Sequence, residues 1–158
     1  MRIERVPTTH PEAVRLVEEV QGEYVARYGG RDDTPLDPTV FDDPRGAFWV
    51  GYLGDEAVAC GAWRLRGDLE ALGSVRTAEV KRMYVVASAR RRGLARELLG
   101  HLEETARAAG AEVMVLETGI GQPEAIALYT CEGYQPIAGF GHYAWSPSNR
   151  CFAKRLQG

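Results

Sequence analysis

The stretch of this chain best equipped for chemistry runs from Glu79 to Leu99, EVKRMYVVASARRRGLARELL. A β-rich run leads into a turn holding Arg90, Arg91, Arg92, Gly93, Leu94 and Ala95, and the turn opens a segment with helical periodicity. The first turn of a helix has backbone N–H groups without partners, and its aligned dipoles amount to about half a positive charge. Such an end is an anion site, suited to phosphate. Gly93 and Ala95 let a diphosphate approach the backbone with no side chain in the way. Arg90, Arg91 and Arg92 add charge-assisted bonds. An arginine triplet alone usually marks a solvated basic loop; here strand, glycine and helix fall in the order an anion site needs. The chain has neither a P-loop lysine motif nor a GxGxxG with an acidic residue about 20 positions later.

The elements that must position this turn can be read from periodicity and punctuation. Residues 2–6 fit a short strand, and Thr9-His10-Pro11-Glu12 has the form of a capping box with Thr9 as N-cap. Ala13, Val17, Val20 and Tyr24 then recur at helical spacing, so residues 10–28 read as an amphipathic helix stopped by Gly29-Gly30. Residues 29–45 hold three prolines and the aspartates Asp32, Asp33, Asp37, Asp42 and Asp43, a loop or a broken short helix. Runs at 47–53 and 56–65 flank Gly54-Asp55 and read as an antiparallel hairpin. A loose connection at 66–77 precedes a strand over 79–86. A helix over 90–109 follows, with Leu94, Leu98, Leu102, Ala106 and Ala109 along one face. A strand at 112–118, a helix opened by Pro123 and closed by Gly133, and strands at 134–137 and 151–156 complete the chain. This order predicts a single α/β domain over residues 1–158.

Composition narrows the classes. The chain has 158 residues, 45% hydrophobic and 26% charged, the balance of a globular protein rather than a disordered one. A formal charge of −3 argues against nucleic acid as partner. No apolar run reaches the ~20 residues that span a bilayer, and MRIERVPTTH lacks the apolar stretch of a secretory signal. No membrane partner and a cytoplasmic location are therefore expected. Cys60, Cys131 and Cys151 show no metal-binding or disulfide spacing, and no metal is expected. Cys131 reads as a core-facing thiol, and His10 and His101 as exposed.

The stretch around Arg90 resembles motif A of the GNAT superfamily of N-acetyltransferases, whose pyrophosphate loop reads Arg or Gln, two residues, Gly, one residue, then Gly or Ala. Gln122 to Tyr134, QPEAIALYTCEGY, resembles motif B of the same superfamily. The two motifs occur in the family's order and separation, and the resemblance covers roughly residues 45–140. It implies an acyl-CoA N-acyltransferase fold: a mixed, mostly antiparallel sheet of six to seven strands with about four helices on both faces. It also implies acetyl-CoA as cosubstrate. Backbone groups of Met83, Tyr84 and Val85 would bond the acetyl carbonyl and pantetheine, and Arg90 to Ala95 would hold the pyrophosphate. Gln122 stands where the family usually has Asn, one methylene longer. Tyr129 matches the family's general acid near the cofactor sulfur.

The reaction implied is direct acetyl transfer to a primary amine of a small molecule, amino acid or peptide within a ternary complex. The amine must lose a proton, its ammonium having a pKa near 10.4, and the leaving thiolate gains from receiving one. Glu79 is the leading base, since eleven residues separate it from Arg90 as in the histone-acetyltransferase branch. Its alternative is a strand-end carboxylate paired with Lys81 or solvent. Glu117 and a water chain are the further candidates. His142 and Tyr143, and Tyr24 and Tyr28, lie in segments that flank the acceptor cleft in the family. Two other readings stay open: a silent acyl-CoA-binding module, and an acetyltransferase of protein lysines or N-termini. Keeping both Tyr129 and Glu79 favours an enzyme. A homodimer is one assembly the resemblance allows.

Overall fold

The structure, a computed structural model, describes residues 1–32 and 37–157. Strand β1 (Arg2–Arg5) precedes helix α1 (Pro11–Tyr28) and a 3₁₀ turn at Pro38–Phe41. Strands β2 (Gly46–Leu53), β3 (Glu56–Leu65) and β4 (Thr77–Val85) follow, then a 3₁₀ turn at Ala87–Ala89 and helix α2 (Leu94–Ala108). Strand β5 (Val113–Gly119), helix α3 (Pro123–Cys131) and strands β6 (Gln135–Ile137) and β7 (Asn149–Arg155) end the chain. The strands form one sheet in the order β1-β2-β3-β4-β5-β7-β6. The β4–β5 pair is parallel and the other pairs are antiparallel. This is the expected mixed sheet with seven strands. Three α-helices stand among the described residues where about four were expected, because the two 3₁₀ segments stop after a single turn.

Register sorts the side chains between two faces. Ala47, Trp63, Ala78, Val80, Met114, Leu116 and Phe152 pack with Leu99, Leu102 and Ala106 of α2 and with Tyr129 of α3. The alternate residues Phe48, Val50, Cys60 and Ala62 pack with Ala13 and Leu16 of α1. So α2 and α3 cover one face and α1 covers the other. Leu98, Leu99 and Leu102 are fully buried, and truncating any of them to Ala would cost about 2–5 kcal/mol.

Several local expectations are corrected. His10, not Thr9, caps α1: its Nδ1 accepts from the Glu12 amide at 3.1 Å, while the Glu12 carboxylate turns to Arg15 at 2.8 Å. Pro11 explains the shift, because a proline fits the first helical position and leaves its predecessor as cap. Helix α2 begins at Leu94 rather than Arg90, because Arg91 (φ 64°) and Gly93 (φ 77°) adopt left-handed backbone that no α-helix includes. Ala109 is the exposed C-cap of α2. Cys131 is exposed, whereas Cys60 and Cys151 are buried. Tyr129 takes the inward face of α3, and a residue two further on sits about 200° around the helix. His101 is half-buried against the Trp49 indole, ring centres 4.3 Å apart, and burial lowers its pKa. Asp33 and Pro35 of the acidic loop lie outside the described residues.

Candidate active site

The site originates in a fault in the sheet. Strands β3 and β4 pair from Leu65–Ala78 to Ala62–Lys81, and then the register shifts so that Cys60 meets Tyr84. Gly61 thus faces two residues, Arg82 and Met83, which is a β-bulge. Arg82 takes φ 59°, a conformation costing a non-glycine residue about 1–2 kcal/mol, and its carbonyl accepts from the Cys60 thiol at 3.2 Å. A bulge bends its strand. The parallel ladder between β4 and β5 accordingly holds from Thr77–Val113 to Glu79–Val115 and goes no further among the described residues. Past that point the strands part around a cavity of about 360 Å³.

Because the gap lies between two strands of one sheet, both faces contribute to its walls. Val80, Leu116 and Tyr129 come from the side covered by α2 and α3. Tyr24 and Tyr28 come from α1 on the other side, and Lys81 and Glu117 join them. Arg82, Met83, Asp32, Gln122, Tyr143 and Asn149 complete the polar lining.

Tyr129 is held by aromatic packing, 5.7 Å from the Tyr134 ring centre and 6.4 Å from that of Phe152. Its hydroxyl has no hydrogen-bond partner among the described residues, and burial pushes its pKa up to about 12. It is therefore a protonated phenol at neutral pH with its donor unengaged at the cavity wall.

Glu79 is placed differently. It is 2% exposed, stands opposite Arg64 in the β3–β4 register, and is absent from the cavity lining. Its Oε1 accepts from Arg64 Nε at 2.9 Å and from Arg66 Nη1 at 2.8 Å, while Oε2 lies 4.0 Å from Lys81 Nζ. Arg66 also grips Asp68 at 2.9 Å. Glu117 does line the cavity. Burial raises its pKa, opposed by the Lys81 charge, and the carboxylates of Glu79 and Asp32 add to the rise. Asn149 Nδ2 donates to Glu117 Oε2 at 3.4 Å. Gly141 lies so close that a Cβ there would fall on the Glu117 carboxylate, so the segment before β7 closes over this group.

The arginine turn divides its labour. Arg90 is engaged within the fold: Nε donates to the Val85 carbonyl at 2.9 Å, Nη2 pairs with Glu23, and the guanidinium lies 5.6 Å from the Tyr84 ring centre. Arg91 and Arg92 are exposed and form no ion pair among the described residues. Gly93 is the N-cap of α2, with no side chain bonding the first turn and open space before its α-carbon. Leu94 and Ala95 are half-buried against the core. On β4, Met83 reaches the cavity, and Tyr84 and Val85 pair with Cys60 and Ala59 of β3. Gln122 is the N-cap of α3 and lines the cavity without capping the helix through its side chain.

Arg82 and Asn149 escaped the sequence reading, which named Lys81 only as a partner for Glu79. No composition signal marks a bulge, and Asn149 reaches the site from the far end of the chain. Of the acidic loop, Asp32 lines the cavity, 3.5 Å from Arg82 Nη1 and accepting from the Tyr143 hydroxyl at 3.2 Å. Asp37 instead accepts from the Thr39 amide, and Asp43 lies 3.7 Å from Arg5. His142 packs edge-on against Tyr143, ring centres 4.8 Å apart. Among the described residues no helix is long and apolar enough to cross a membrane.

Over residues 14–134 the chain matches the Acetyltransferase (GNAT) family. A protein of Azospirillum brasilense named IAA acetyltransferase is 35% identical over 143 residues, 90% of each chain. YsnE of Bacillus subtilis, an uncharacterised N-acetyltransferase, is 35% identical over 115 residues, 72% of each chain. Among solved structures, a candidate acyl-CoA N-acyltransferase of Klebsiella pneumoniae has a TM-score of 0.79 at 29% identity, covering 99% of this chain and 97% of that one. With the split sheet and the open helix terminus in place, these likenesses make the chain a member of the GNAT acetyltransferase family and an acyl-transferring enzyme.

Proposed function

We propose that the protein moves the acetyl group of acetyl-CoA directly to a primary amine of a small molecule, amino acid or peptide. The observation that carries this reading is the gap between β4 and β5, which has walls on both faces of the sheet. Two substrates can enter from opposite sides and meet within it. That suits transfer in a ternary complex, where holding the reactants together supplies much of the rate. The relative named IAA acetyltransferase favours a small-molecule acceptor over a protein.

The residues fit acetyl-CoA. Pyrophosphate would sit on the uncapped first turn of α2, on the amides following Gly93, Leu94 and Ala95, with Arg91 and Arg92 beside it. Arg90 would support this turn through Glu23, Val85 and Tyr84 rather than reach the phosphates. Met83, Tyr84 and Val85 offer backbone groups along the edge of β4 that β5 has left, and Gln122 faces them across the cavity. When bound, acetyl-CoA supplies the activated acyl carbon and a thiolate leaving group. Tyr129 donates a proton at the departing sulfur. Glu117, on the cavity wall with a raised pKa, takes the proton of the amine. Glu79 acts as a positioning residue, its charge fixing Arg64, Arg66 and Lys81 beneath the site.

The test is release of free thiol from acetyl-CoA against a panel of amines, with mass detection of the acetylated product. Acceptor-dependent release is expected. Acetyl-CoA binding with no amine acetylated would reduce the protein to an acyl-CoA-binding module.

A further inference from the structure

The bulge has a chemical consequence for the acceptor. Consecutive residues of a regular strand point to opposite faces, yet Lys81 and Arg82 both line the same cavity. They can do so because the gap between β4 and β5 opens to both faces of the sheet. Neither cation is hydrogen-bonded to a carboxylate among the described residues. Lys81 Nζ stands 4.0 Å from Glu79 Oε2, and Arg82 Nη1, shut off from water and lacking a hydrogen-bond partner, stands 3.5 Å from Asp32 Oδ2. A guanidinium that is desolvated and incompletely paired leaves a donor for a planar anion, to which its fork is matched. The pyrophosphate turn is a separate feature at the start of α2, and none of Arg90, Arg91, Arg92 or Gly93 lines this cavity.

The remaining walls match the rest of a small zwitterion. Glu117 and Asp32 add negative charge to the same cavity wall, and Tyr24, Tyr28 and Trp145 provide apolar surface. We propose that Lys81 and Arg82 form a receptor for a carboxylate on the acceptor, so that the acceptor is an amino acid rather than a simple amine. The inference rests on the acetyl-transfer reading above. The carboxylate stays away from the reacting carbon and contributes equally to ground and transition states, so its loss raises KM more than it lowers kcat.

The experiment measures kcat and KM for the protein amino acids beside the amines and the amides that share their side chains. The best amino acid should exceed its matched amine and amide by about 10- to 100-fold in kcat/KM, the range of one charge-assisted hydrogen bond. Arg82→Gln and Lys81→Gln should each reduce that ratio, chiefly through KM, and Arg82→Lys should restore part of it. Affinity for CoA, measured by calorimetry, reports on folding in every variant. Equal rates for acid and matched amine in the unaltered enzyme overturn the proposal without a variant being made. A ratio unmoved by both substitutions, or a loss confined to CoA affinity, overturns it as well. If no compound is acetylated, the acetyl-transfer reading itself fails, an outcome distinct from acetylation without a carboxylate preference.

Discussion

Replacing Glu79 by Gln separates a buried structural carboxylate from a catalytic base. The substitution preserves shape and one oxygen, so Arg64 Nε and Arg66 Nη1, at 2.9 and 2.8 Å, keep an acceptor. What disappears is the negative charge. A bond with both partners charged lies toward the top of the range of about 1.5–3 kcal/mol and one from a guanidinium to a neutral amide toward its bottom, so two conversions cost about 2 kcal/mol. Screening reduces this little, because Glu79 is 2% exposed and the side chains of Arg64 and Arg66 are 18% and 15% exposed. In a domain of this size about 2 kcal/mol lowers Tm by about 4–8 °C. Glu79→Ala, which leaves Arg64 without its carboxylate and Arg66 with Asp68 alone, should cost about 3–5 kcal/mol. The assay pairs thermal unfolding with the pH profile of kcat/KM. Glu79→Gln should melt early, keep kcat within about tenfold of wild type at a temperature where it is folded, and retain its acidic limb. A variant with unaltered Tm whose kcat fell by about 10³ would make Glu79 the base and refute the positioning argument.

Three further outcomes follow from the same geometry. Tyr129→Phe should lower kcat by about 10²-fold with CoA affinity unmoved, because the ring stays packed on Tyr134 and Phe152; wild-type turnover would remove the general acid. Glu117→Gln should abolish the acidic limb of kcat/KM, since a base works only above its pKa, which here is raised by burial, by Glu79 and by Asp32 against the pull of Lys81. The raised value also means that the unfolded chain loses this proton first, so the contribution of Glu117 to stability falls as pH climbs above about 4.3, and the Gln variant should gain Tm relative to wild type over that rise. Gly93→Glu should nearly eliminate CoA binding through charge repulsion and left-handed strain at φ 77°, whereas Gly93→Asn should bind at intermediate strength; calorimetry distinguishes them.

Much of the molecule is local and therefore legible in the chain. Helix, strand and turn signals depend on neighbours a few residues apart, so the element order and the glycine turn before α2 could be read directly from periodicity and from Gly93. Errors at this level were also local: Pro11 moved the cap of α1 by one residue, and the helical twist turned Cys131 outward. The two motif segments, Glu79–Leu99 and Gln122–Tyr134, were enough to name the family, because each joins a strand or turn to a helix at fixed spacing.

The tertiary structure decided which carboxylate reaches the cavity. Glu79 and Glu117 look alike in sequence, each on a strand with apolar neighbours. Strand pairing sets Glu79 beside Arg64 on β3, within the last β4–β5 pair, and sets Glu117 two residues beyond that pair, where the strands have separated. The same separation brings Tyr24, Tyr129 and Asn149 to one cavity from three distant parts of the chain. It arises from a register shift opposite Gly61, a long-range property of two paired strands rather than of either alone. Sequence determines what each segment can become; which side chains share a cavity is fixed only when the sheet closes its register.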